Sequence, residues 1–316
     1  MDPLGGLHHV TAITGDAPAN LHFYTRLLGM RLVKKSVNQD DVSAYHLFYA
    51  DAKGSPGSDL TFFDWPNTPP NQPGAGSISP IALRVGSVAA IEWWRGRFED
   101  QSVAHFEPVE RGGRRVLAFS DPEGQQLELI SDDGAAGGVP WDRSPVPAEF
   151  QVKGLHGVGL TSARPQVTAE VLGRVMGFRP VAELPLAGGG VEHVFETGPG
   201  GPGAEVRLQV PEAARYSRQG RGGVHHVAFR VPDARTQVEW QERIAAAGLQ
   251  PTPVIDRFYF KSVYFREPGG ILFEIATDGP GFAADEPEET MGSKLALPPF
   301  LEPDRQRIEA GLTPLG

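Results

Sequence analysis

This chain repeats itself, and that limits its possible folds more than any other feature. Leu7-His8-His9-Val10 returns as Leu155-His156-Gly157-Val158, an offset of 148, and Arg26-Leu27-Leu28-Gly29 returns at the same offset as Arg174-Val175-Met176-Gly177. A second set recurs at 146: Arg84-Val85 with Arg230-Val231, Trp94 with Trp240, Phe119 with Phe265, Pro122 with Pro268, Gly124 with Gly270 and Glu128 with Glu274. Many matches at one spacing mark a duplicated architecture. The 316 residues are enough for two ordinary domains, and the repeats divide them into four modules.

The modules run over residues 7–65 (A), 78–131 (B), 154–211 (A′) and 222–277 (B′). Each opens on a period-two stretch such as Val224-His225-His226-Val227-Ala228-Phe229, which predicts a strand. A helix-spaced stretch follows, over 19–28 before Gly29 in module A and over 236–247 before Gly248 in B′, glycine being the residue a helix end favours. Two or three further strands close each module. A βαβββ unit of this size cannot bury a core alone, so the pattern predicts an α+β fold of four modules paired into two cup-shaped mixed sheets. Residues 132–153, rich in Gly and Pro, read as a linker. The Pro-rich tail, 278–316, has an apolar patch at 295–301 suited to docking and a short helical stretch at 304–310.

Composition narrows the chemistry. The net charge of −10 disfavours nucleic acid and anionic lipid. No stretch is apolar enough to span a membrane, and the first residues lack an export signal, so a cytoplasmic location is expected. With no cysteine, a metal site has to use His, Asp or Glu.

Such ligands stand in modules A and B′. The doublets His8-His9 and His225-His226 lie in equivalent first strands, and Glu274 lies in a last strand. Adjacent strand residues face opposite ways, so one member of each doublet looks into the cup. Module A′ keeps His156 opposite His8 but has Gly157 opposite His9, while module B has Pro80 opposite His226. The second histidine of each doublet is therefore the expected ligand. His9, His226 and Glu274 make two imidazoles and one carboxylate, a facial set that leaves positions open on iron(II). The catalytic cup then joins A to B′, the first and last quarters of the chain.

Tyr264 shares the parity of Glu274, and its repeat partner is Ala118, which points to a role in the ligand-bearing cup. Arg257 has Arg111 as its partner, so a structural ion pair would explain both. Thr11 lies two residues beyond His9, on the same strand face. His22, His46, His105 and His193 read as structural, His46 because it recurs as His193 in a module without ligands; Glu128 reads as a solvated or salt-bridged relic.

The opening Leu7-His8-His9-Val10-Thr11, the strand Gly223-Val224-His225-His226-Val227-Ala228-Phe229, the stretch from Asp256 to Ala276 and the tail around Leu297-Pro298-Pro299-Phe300 carry a resemblance over nearly the whole chain. The chain resembles the vicinal oxygen chelate superfamily of glyoxalases and extradiol dioxygenases, and within it the hydroquinone ring-cleaving dioxygenases. The resemblance implies iron(II) on His9, His226 and Glu274, with Arg257, Tyr264, His8 and His225 arranged around the substrate.

An open metal position stabilises a bound oxyanion, so an aromatic diol would lose a proton there and be cleaved with O2. Tyr264 would donate a hydrogen bond, Arg257 would stabilise negative charge, and His8 or His225 would move protons. Manganese(II) is the alternative metal, and assembly as a homo-oligomer stays open. A glyoxalase-type lyase or isomerase would want a fourth protein ligand, whereas Pro80, Gly157 and Leu60-Thr61-Phe62-Phe63 stand at the matching places. A metal-free ligand-binding or resistance protein on the same cup is the third alternative.

Overall fold

The computed structural model describes residues 2–315. Module A gives strand β1 (Leu7–Thr14), helix α1 (Ala17–His22) and strands β2 (Arg31–Val37), β3 (Tyr45–Ala50) and β4 (Asp59–Asp64). Module B gives β5 (Ser77–Val85), α2 (Val88–Asp100), β6 (Val109–Arg111), β7 (Arg114–Ser120) and β8 (Gln126–Ser131). Module A′ gives β9 (Gly154–Thr161), α3 (Pro165–Glu170), β10 (Arg179–Pro185), β11 (Gly190–Glu196) and β12 (Glu205–Pro211). Module B′ gives β13 (Gly223–Val231), α4 (Ala234–Ala246), β14 (Ile255–Asp256), β15 (Lys261–Arg266) and β16 (Leu272–Thr277), and α5 (Arg305–Gly311) follows in the tail.

Two eight-stranded mixed sheets result, as the sequence predicts for the fold. One has the order β14-β15-β16-β13-β1-β4-β3-β2 and the other β10-β11-β12-β9-β5-β8-β7-β6. The first sheet thus joins strands from the two ends of the chain through antiparallel β1 and β13, with Thr11 opposite His226. No helix among the described residues is long and apolar enough to cross a membrane.

The repeat extends to the way helices are anchored. Trp94 and Trp240 are both buried. Arg97 donates to the carbonyl of Leu27 at 3.0 Å, and its counterpart Arg243 donates to that of Val175 at 2.5 Å. The helix predicted over 19–28 is shorter as a regular α-helix. After His22 the bonding widens, with Leu28 N–H reaching the Phe23 carbonyl at 2.9 Å, a five-residue step. Module A′ does the same from Met176 to Val171. The wide turn keeps both Phe23 and Tyr24 in the core. Helix α4 begins two residues before its predicted start because Asp233 caps it, accepting from Thr236 N–H at 2.8 Å.

The tail lies against the first sheet. Ala296 N–H donates to the Lys35 carbonyl at 2.9 Å, and Ala296 and Leu297 are buried while Phe300 is exposed. Lys34, wholly buried in β2, is held by the tail carboxylates of Asp285, at 2.7 Å, and Glu286. Phe282 packs on Phe48 and Tyr259 with ring centroids 5.1 and 5.5 Å away, so the tail backs one wall of the first cup.

Candidate metal centre

Strand pairing brings the three expected ligands together. His9 comes from β1, His226 from β13 and Glu274 from β16, and all three are buried. His9 Nε2 lies 3.2 Å from His226 Nε2 and 3.3 Å from Glu274 Oε2, and His226 Nε2 lies 2.9 Å from the same oxygen. Three donors at right angles, each about 2.1 Å from one ion, stand about 3 Å apart, so the spacing fits a metal.

The surrounding hydrogen bonds fit it too. His8 Nε2 faces the Thr277 carbonyl at 3.1 Å, and a carbonyl only accepts, so that nitrogen carries the proton. His8 Nδ1 is then an acceptor, 2.9 Å from His9 Nδ1, which must donate. This leaves the lone pair of His9 on Nε2, pointing at the cluster. His225 stands behind His226 with the two Nδ1 atoms 2.8 Å apart. Ser262 donates to Glu274 Oε1 at 2.5 Å, while Glu274 Oε2 is buried without a hydrogen-bond donor. Two imidazole nitrogens, one of them with its lone pair fixed, and a carboxylate oxygen converging in a buried space suit a cation.

The ionisation states agree. Burial drives His8 down to about 3, with His9 pushing the same way, and drives His225 down to about 3 with help from His226. Burial lowers His226 as well. It would raise Glu274, but His9 and His226 outweigh it and hold the carboxyl well below the usual range. A neutral His226 imidazole and an ionised Glu274 carboxylate are ligating forms.

A cavity opens over the cluster, walled by Phe48, Phe63, Phe260 and Tyr264 and including His9, Thr11, His226 and Arg257. Tyr264 lies directly across the ladder from Glu274, its ring edge-on to His226 with centroids 5.6 Å apart. Burial and the nearby Glu274 push its hydroxyl up, keeping it protonated. Arg257 packs over the Tyr264 ring and pairs twice with Asp40, at 3.1 and 2.8 Å. Gln39 donates to the Arg257 carbonyl at 2.8 Å, so both ties join the 39–40 segment to the rim. His8 and His225 stand behind the two ligand imidazoles.

The structure places His46, which reads as structural in the sequence, at the cavity. Its half-buried ring lines the cavity, and Nε2 lies 3.0 Å from Thr61 Oγ1, which is itself 2.9 Å from Thr11 Oγ1. The apparent recurrence as His193 misleads because the ladders equate different residues. His46 pairs with Phe63, which stands beside Ile13; the equivalent row is Glu192, Gln209 and Thr161. His193 is one residue out of phase and pairs with Glu183 at 3.2 Å. His22 is exposed on α1, and His105 Nδ1 lies 2.8 Å from the Val103 carbonyl. Ser262 and Asp40 were also missed. Ser262 was within reach of a parity argument, since it is two residues from Tyr264 and shares its face.

The second cup has no equivalent triad. Gly157 and Pro80 replace the imidazoles, and Glu128 is not solvated: it accepts two bonds from Arg111, at 2.8 and 2.6 Å, and one from buried Arg207 at 2.8 Å. Arg207 occupies the ladder place of Thr61. Two guanidinium groups thus balance the carboxylate there.

Comparison with known proteins agrees with this architecture. The model of the Glyoxalase/Bleomycin resistance protein/Dioxygenase superfamily matches residues 6–129 and 154–275. The chain is 46% identical over 313 residues, 99% of each chain, to the Bacillus subtilis (strain 168) protein named "Putative ring-cleaving dioxygenase MhqA". It is 32% identical over 303 residues to a chlorohydroquinone/hydroquinone 1,2-dioxygenase of Sphingobium indicum, covering 94% of this chain and 92% of that one. The crystal structure of a "putative dioxygenase" from Bacillus subtilis subsp. subtilis str. 168 superposes with a TM-score of 0.89 at 38% identity, covering 99% of this chain and 98% of that one. The chain belongs to the Glyoxalase/Bleomycin resistance protein/Dioxygenase superfamily and, within it, to the ring-cleaving dioxygenases.

Proposed function

We propose that this chain is an iron(II)-dependent dioxygenase that opens the ring of a hydroquinone or catechol-type diol with O2, in the cup formed by modules A and B′. The observation that carries this reading is the convergence of His9 Nε2, His226 Nε2 and Glu274 Oε2 beneath an aromatic-walled cavity. Three protein ligands leave positions for a diol oxygen and for O2, and the metal supplies the redox contact between them. Manganese(II) suits the same donors. The relative named for chlorohydroquinone and hydroquinone supports the substrate class.

The chain's own groups then have distinct tasks. His9, His226 and Glu274 hold the metal, and His8, His225 and Ser262 fix their orientation. Phe48, Phe63 and Phe260 exclude water and offer ring faces to an aromatic substrate. Protonated Tyr264 donates a hydrogen bond toward the space over His226. Arg257, fixed by Asp40, places positive charge at the rim where an oxyanion would develop. Thr11 offers a hydroxyl to the substrate.

Iron(II)-loaded protein should consume O2 with a hydroquinone and yield a ring-opened acid, and Glu274→Ala should abolish this while the protein stays folded. Undiminished turnover in that variant would sink the proposal. The glyoxalase-type alternative lacks a fourth ligand among the described residues grouped here.

A further inference from the structure

The three polar side chains Thr11, Thr61 and His46 come from neighbouring strands β1, β4 and β3 and form one hydrogen-bonded chain ending in the cavity. Thr61 Oγ1 lies 2.9 Å from Thr11 Oγ1 and 3.0 Å from His46 Nε2. Thr11 and Thr61 are wholly buried, and His46 packs against Phe48 and Phe63 with centroids 3.9 and 4.5 Å away. These contacts hold all three side chains in place.

The second cup replaces the whole set. By ladder position Thr11 becomes Gly159, Thr61 becomes Arg207 and His46 becomes Glu192. On the opposite face of the same strands, Val10, Leu60 and Phe62 have Val158, Val206 and Leu208 as their equivalents, all buried and apolar. Core-facing positions therefore stay apolar in both sheets, while the Thr-Thr-His set occurs only where the metal triad does; in the second cup Arg207 and Glu192 bond to Glu128 and Gln209 instead.

A hydroxyl has a single proton, which gives the chain a direction. If His46 Nε2 carries a proton, Thr61 accepts it and donates to Thr11, whose own proton is free to point at the substrate. If Nε2 is bare, Thr61 donates to His46 and accepts from Thr11, and Thr11 then shows the cavity only a lone pair. The state of one nitrogen thus sets what Thr11 presents about two hydroxyls away.

We propose that His46 and Thr61 are positioning residues that fix the orientation of the Thr11 hydroxyl toward a ring hydroxyl of the aromatic diol. This rests on the functional reading above. Neither residue ligates the metal, so their loss should weaken substrate binding rather than metal binding.

The test uses the full chain loaded with iron(II) and titrated anaerobically with hydroquinone, with iron content and melting temperature measured alongside. Thr61→Val removes the hydroxyl at constant shape and should weaken binding about tenfold, the effect of one lost hydrogen bond; Thr61→Ser should stay within about threefold. The pair His46→Phe and His46→Gln should divide likewise, since the amide keeps a polar atom near the Nε2 position, and it decides the matter if Thr61→Val does not fold. All variants should retain iron. Wild-type affinity and kcat/KM in Thr61→Val and His46→Phe would overturn the proposal but leave the dioxygenase reading standing, as would equal loss of iron in Thr61→Val and Thr61→Ser. Failure of the iron-loaded wild type to bind any hydroquinone or catechol would overturn both.

Discussion

His8 Nδ1 lies 2.9 Å from His9 Nδ1, and His8 Nε2 faces the Thr277 carbonyl at 3.1 Å, so the first histidine of the doublet dictates the tautomer of the second. His8→Phe would keep packing against Phe260, whose ring centroid is 5.2 Å away, but would remove the acceptor. Iron(II) affinity, measured by competition with a chelator, should fall about 10- to 100-fold. Unchanged affinity would reduce His8 to a packing residue.

Metal removal should destabilise the protein measurably. An ion that binds only the folded state adds about 2.7 kcal/mol at a free concentration 100 times its Kd. Chelation should lower the melting temperature of the wild type and leave Glu274→Ala almost unmoved. Equal melting shifts in the two proteins would contradict a ligand role for Glu274.

Lys34 ties the tail to the first sheet from a fully buried position, against Asp285 and Glu286. Removing one partner of a buried ion pair leaves the others uncompensated and typically costs about 3–5 kcal/mol. Lys34→Ala should lose stability on that scale in urea denaturation, and the neighbouring wall of Phe48, Tyr259 and Phe282 should loosen with it. A loss below about 1 kcal/mol would show that the tail docks without this anchor.

The second cup should respond to acid through Glu128. Burial alone would raise this carboxyl, but Arg207 and Arg111 prevail and hold it at about 2, below its ordinary 4.5. A depressed folded-state value contributes stability in full above the unfolded value and loses it as pH falls through the folded one. The contribution should fade between about pH 4.5 and pH 2. Glu128→Gln should be less stable at neutral pH and show a shallower acid limb in that window; parallel stability curves would exclude this linkage.

The His9, His226 and Glu274 cluster was legible in the sequence because the repeat showed which histidine each metal-free module had lost. Tyr264 was legible from strand parity together with the contrast to its repeat partner Ala118. His46 was not, because a one-residue difference in strand register makes Glu192, not His193, its true counterpart. Linear offsets cannot reveal such a shift, whereas ladders do. The pairing of Arg257 with Asp40 was hidden for a similar reason: it spans 217 residues between segments joined only through the first sheet. The wide turn after α1 left no signature distinct from a helix, since its apolar spacing is nearly the same.

The most direct test of the central claim is isotope labelling. Iron(II)-loaded protein would be given hydroquinone under 18O-labelled dioxygen, and the products analysed by mass spectrometry. The expected product is a ring-opened acid that acquires both oxygen atoms from dioxygen, with no such product from Glu274→Ala. Unlabelled product, or conversion of the diol to quinone with the label found in hydrogen peroxide, would contradict it.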